Sequence, residues 1–122
     1  MTGGGPLILV VEDDPSLRLL SRVNLELDGF RVVEADTCAA ARAAVAVERP
    51  ATVFLDALLG AELCDELLGE LRAAGIPVVV VSGVDGLDGY RDRASEVLAK
   101  PYDPQELGAL AARLAVGRVS AP

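Results

Sequence analysis

Four short apolar runs in this chain each stop on a polar residue, and that recurrence leaves few folds open. Leu-Ile-Leu-Val-Val (7–11) ends on Glu12 and Asp13, and Ala-Thr-Val-Phe-Leu (51–55) ends on Asp56. Pro-Val-Val-Val-Val (77–81) ends on Ser82, and Val-Leu-Ala (97–99) ends on Lys100, followed by Pro101. Arg31 to Glu34 reads as one more short strand. Uninterrupted apolar runs, without polar alternation, fit strands covered on both faces, as parallel strands are.

The intervening segments carry helix punctuation. Asp14-Pro15 is a cap followed by proline at the first helical position. Leu17, Leu20, Val23 and Leu27 recur at helical spacing until Asp28-Gly29 stops the helix. Asp36 or Thr37 caps a second, alanine-rich helix that ends before Pro50. After a loop containing Gly60, a third helix is expected over Glu62 to Ala74 with Gly75 as its stop. Residues 83–96 hold glycines and acidic residues and little apolar content, so a fourth helix there is short or irregular and the segment is the expected mobile element. Asp103-Pro104 repeats the cap, Leu107, Leu110 and Leu114 line the last helix, and Gly117 ends it.

The expectation is an α/β fold, (βα)₅, with a doubly wound parallel sheet in the order 2-1-3-4-5. Residues 1–6 read as a flexible lead, 7–117 as one domain and 118–122 as a tail. At 122 residues the chain is long enough to bury a core, and 52% apolar with 3% aromatic makes that core aliphatic. A net charge of −8 opposes non-specific attraction to nucleic acid or to an anionic membrane. No run approaches the ~20 apolar residues of a membrane span. The start lacks a basic segment leading into a signal-type apolar stretch, so a cytoplasmic location is expected. Cys38 and Cys64 show no metal-type spacing and read as free thiols, and the lack of histidine excludes a histidine triad or metal site.

Ligands of open α/β sheets gather outside the carboxyl ends of the strands. With the first and third strands adjacent, Glu12, Asp13 and Asp56 face one another there. Three neighbouring carboxylates call for a cation, and oxygen-only ligands suit Mg²⁺. The expected ligands are Asp13 and Asp56 directly, Glu12 through water, and the backbone carbonyl of Leu58. Asp56 also suits nucleophilic attack on phosphorus, since carboxylates form aspartyl-phosphates. Lys100 would pair with one phosphate oxygen and Ser82 would hydrogen-bond another. A cis Lys100–Pro101 bond would fix the turn that aims the lysine. Asp14, by contrast, reads as a helix cap only.

On the segments Ile-Leu-Val-Val-Glu-Asp-Asp-Pro (8–15), Val-Phe-Leu-Asp (53–56), Val-Val-Val-Ser-Gly (79–83) and Leu-Ala-Lys-Pro-Tyr-Asp-Pro-Gln-Glu-Leu (98–107), the chain resembles the flavodoxin-like receiver domains of two-component response regulators. The resemblance implies that a sensor histidine kinase or phosphotransfer protein donates its phosphoryl group to Asp56, with Mg²⁺, in a reaction the receiver itself largely catalyses. Glu12 and Asp13 become the acidic pair, Ser82 the switch hydroxyl and Lys100 the family lysine. The chain would not be an enzyme beyond its own phosphorylation and slow self-dephosphorylation, which the apolar bulk of Leu58 and Val84 would retard. Ser16, Leu17, Leu20 and the loop after Lys100 are the implied kinase-docking surface.

The departures are specific. Gly60 stands where most receivers have proline, and Val97 where many carry an aromatic switch residue. The stretch from Ser82 to Lys100 is shortened, and with Pro77, Ser82 and Gly83 it is similar to single-domain receivers with a P-F-x-F-A-T-G-Y motif, without the aromatics. With no output domain within these residues, phosphorylation would alter contacts with a downstream protein rather than with nucleic acid or membrane. A homodimer through the last helix is an alternative use of its leucines. The rival readings are a pseudo-receiver that never takes up phosphate and an aspartate-based phosphatase. Leu58 stands where such phosphatases commonly have a second acid, which disfavours the latter.

Overall fold

The structure, a computed structural model, describes residues 5–59, 62–83 and 88–119, with residues 115–119 as backbone only. Gly60, Val84 and the greater part of both the expected lead and the expected tail lie outside the described residues.

Five parallel strands form the sheet: β1 (Leu7–Val11), β2 (Arg31–Ala35), β3 (Thr52–Asp56), β6 (Val78–Gly83) and β7 (Glu96–Lys100). Between β3 and β6 two short strands, β4 (Leu58–Leu59) and β5 (Glu62–Leu63), make a small antiparallel ladder. The main order is β2-β1-β3-β6-β7, which is the expected 2-1-3-4-5 once the small ladder is set aside. Successive side chains of a strand point to opposite faces, so each central strand feeds two cores. Leu9, Val11, Val53, Leu55, Val78 and Val80 pack with Leu67, Leu68 and Leu71 of α3 (Asp65–Ala73) and with Ala41 of α2 (Cys38–Val47). Ile8, Val10, Phe54, Val79 and Val81 pack with Leu25 of α1 (Pro15–Leu27) and with Leu107 and Ala111 of α4 (Gln105–Val119). Cover on both sides explains why the strand runs are uninterruptedly apolar.

Two of the helix stops fall where expected. Gly29, with φ +95°, and Gly75, with φ +77°, occupy the left-handed region that ends a helix cheaply only for glycine. Asp14 caps α1 by accepting from the backbone N–H of Ser16 at 2.9 Å and of Leu17 at 3.3 Å. Asp14→Ala is therefore expected to cost about 1 kcal/mol of stability, to be read from urea unfolding at unchanged m-value. An unchanged midpoint would remove the cap from the account.

Three expectations are corrected. The apolar stripe of α1 faces outward: Leu20, Val23 and Leu27 are exposed, and Ser21 and Leu25 are the buried positions. The third helix starts at Asp65 rather than Glu62, because Glu62 and Leu63 pair with Leu59 and Leu58. The last helix runs through Gly117 to Val119. Residues 88–95 form tight turns and no α-helix, as anticipated, and polar contacts tie them to the rest of the domain. The Tyr90 hydroxyl donates to Asp65 at 3.0 Å, the Arg93 guanidinium lies over the Tyr90 ring, and the backbone N–H of Val78 donates to Ser95 Oγ at 3.0 Å.

Candidate functional site

The register of the central strands builds the site. Val11 lies opposite Leu55, so the next residues, Glu12 and Asp56, leave adjacent strands side by side. Asp56 in turn faces Val81, which places Ser82 one residue further along the rim. Ser82 lies opposite Ala99 and Gly83 opposite Lys100. The Lys100–Pro101 peptide is cis.

Glu12, Asp13 and Asp56 each offer a carboxylate oxygen within 4.8 Å of the others. Glu12 and Asp56 are buried and Asp13 is exposed, so the cluster opens to solvent on one side. Lys100 Nζ donates to Asp56 Oδ2 at 2.8 Å and approaches Glu12 Oε1 to 3.2 Å. The other oxygens are held from the backbone: Leu58 N–H donates to Asp56 Oδ1 at 3.2 Å and Asp14 N–H to Glu12 Oε2 at 3.1 Å. Each buried carboxylate thus has a fixed orientation.

Charge crowding is visible at Glu12, whose carboxyl is pushed up to about 7. Burial is the main cause; the Asp14 N–H opposes it, and the Asp56 carboxylate adds to it. Burial works against the charge of Lys100, but its hydrogen bond to Asp56 and the field of both carboxylates outweigh that and hold its pKa above the usual value. Among the described residues, Lys100 is thus the one ammonium paired with the two buried carboxylates Glu12 and Asp56. An all-oxygen cluster of this kind, with one open side, fits a small hard dication better than a soft metal.

Arg18 was not singled out by sequence pattern. Its Nη1 donates to the Glu12 carbonyl at 2.8 Å and its Nε to Glu34 at 3.1 Å, so it braces the backbone that carries the acidic pair. An arginine in the first turns of an amphipathic helix looks like any solvated charge, and the sequence held no signal for this contact. Tyr102, two residues past Lys100, approaches the buried Ser21 hydroxyl at 3.3 Å and ties the loop after β7 to α1. Leu58 lies at the start of the small ladder beside Asp56.

The family model for the response regulator receiver domain matches residues 8–112. The DNA-binding dual master transcriptional regulator RpaA of Synechocystis sp. is 31% identical over 110 residues, which are 84% of this chain and 46% of that protein. The DNA-binding response regulator MtrA of Mycolicibacterium smegmatis is 34% identical over 108 residues, 82% of this chain and 46% of the relative. The chain thus spans about half the length of these curated relatives. Among solved structures, the receiver domain of NtrX from Brucella abortus aligns with TM-score 0.81 at 29% identity, covering 89% of this chain and 98% of that one. A CheY-like receiver domain protein from Methanospirillum hungatei aligns with TM-score 0.83 at 22% identity, covering 97% and 100%, a likeness of fold.

Proposed function

The chain belongs to the response regulator receiver domain family, and from that membership we propose that it accepts a phosphoryl group on Asp56 and thereby changes its protein contacts. The observation that carries this reading is the buried Asp56 carboxylate, fixed by Lys100 at 2.8 Å within an acidic cluster open to solvent. Phosphoryl transfer needs positioning and charge neutralisation more than covalent chemistry. Leu58 N–H and Lys100 aim the two oxygens of Asp56 before any donor arrives. As the phosphoryl group is taken on, Lys100 would follow the developing negative charge onto a phosphate oxygen, and Ser82 would donate to another.

Asp13 and Asp56, with Glu12 through water and the Leu58 carbonyl, would hold Mg²⁺. The chemistry it would supply there is positive charge to offset the carboxylates and the transferring group. The donor is a histidine kinase or phosphotransfer protein. Its docking surface is the start of α1, with Ser16, Leu17 and Leu20, together with the loop after Lys100, and exposed Leu20 offers apolar area to a partner. Among the described residues no helix is long and apolar enough to cross a membrane, and the proposed setting is the cytoplasm.

Incubation with acetyl phosphate tests the reading directly. In Mg²⁺ the intact mass is expected to rise by about 80 Da, one HPO₃ on an aspartyl site, and chelation with EDTA should prevent the rise. No adduct with any small donor, with or without Mg²⁺, would leave a non-phosphorylated interaction module as the better reading.

A further inference from the structure

We propose that Cys38 and Cys64 form a reversible intramolecular disulfide, making the loop that follows Asp56 a redox modification site. Cys38 is the first residue of α2 and Cys64 immediately precedes α3, 26 positions apart, and the fold brings their sulfurs to 3.1 Å. A disulfide is ~2.05 Å long, so the pair lies about 1 Å from bonding distance. Both residues are free, buried and packed in the same core cluster. The bridge would reach the acidic site through the backbone: Cys64 N–H donates to the Ala57 carbonyl at 3.2 Å, and the next residue, Leu58, holds Asp56.

The oxidant is a hydroperoxide small enough to enter during local opening. One thiolate attacks a peroxide oxygen, the O–O bond breaks, and a sulfenic acid and water form from hydrogen peroxide. The second thiol then attacks the sulfenic sulfur; the S–S bond forms and a second water leaves. In sum, two thiols lose two electrons and two protons to one peroxide. Burial raises both thiols above their ordinary pKa, so oxidation is slow at neutral pH and quickens as pH rises.

The test is treatment of the native protein with hydrogen peroxide, quenching, unfolding in iodoacetamide and peptide mapping. The expected product is a monomer with its Cys38 and Cys64 peptides linked, the pair ~2 Da lighter and unalkylated, and both alkylated after dithiothreitol. Closing this loop should also raise the melting temperature by on the order of 10 °C, a rise absent in Cys64→Ser. Recovery of two alkylatable thiols, of higher sulfur acids alone, or of a bridge only between chains would overturn the proposal. The outcome does not depend on whether Asp56 accepts phosphate.

Discussion

Asp56→Asn is expected to abolish the Mg²⁺-dependent phosphoryl adduct while leaving the domain folded. The amide has the shape of the carboxylate, and its oxygen can still accept from Leu58 N–H, as Oδ1 does at 3.2 Å. It is not a competent nucleophile toward phosphorus at neutral pH, and it offers the dication one neutral oxygen in place of a charged one. Lys100 loses its 2.8 Å partner but keeps Glu12 at 3.2 Å. Removing one of three crowded carboxylates also relieves Glu12 of a neighbour that raises its pKa, so stability should hold or rise slightly. Intact mass with acetyl phosphate and Mg²⁺, beside a thermal melt, reads both parts. An adduct of wild-type yield on the variant would move the acceptor elsewhere, Asp13 being the nearest candidate.

The sheet and its order were legible because parallel strands buried on both faces need no polar alternation, and Leu7–Val11 and Val78–Val81 could be little else. The acidic rim was legible for the same reason: a polar residue that ends such a strand emerges at the carboxyl edge. Tertiary contacts decided the rest. Ser21 is buried in α1 because its hydroxyl is satisfied by the Leu17 carbonyl at 2.9 Å and by Tyr102, a partner 81 positions away. Glu62 and Leu63 have good helix propensity, yet they pair with β4, and Cys64 N–H goes to Ala57 rather than into a helix. Gly117 costs a helix only about 1 kcal/mol, too little to end one by itself. Cys38 and Cys64 carry no spacing motif, so only the packing of α2 against the start of α3 could bring them together.

Lys100→Ala carries the second large effect, and it separates two roles of the ammonium. In the resting site Lys100 is the one basic side chain with an ion pair to Glu12 or Asp56 among the described residues. Its loss leaves two buried carboxylates, Glu12 and Asp56, without a basic side chain paired to either among the described residues. Stranding one partner of a buried pair costs ~3–5 kcal/mol, and the 32% exposure of the lysine side chain reduces that to roughly 1–3 kcal/mol. Protonation of Glu12, already pushed up to about 7, relieves part of the strain. Saturating Mg²⁺ should restore most of the lost stability, since a dication can neutralise the same oxygens, and its thermal shift should exceed that of the wild type. It cannot supply a donor at the phosphate oxygen that Lys100 would meet. Loss of one such preorganised donor slows transfer by ~10²-fold or more. Adduct formation in Lys100→Ala should therefore stay slow in Mg²⁺ that has already recovered the melt. Recovery of the wild-type rate together with stability would mean that Lys100 only balances charge at rest and takes no part in the transfer.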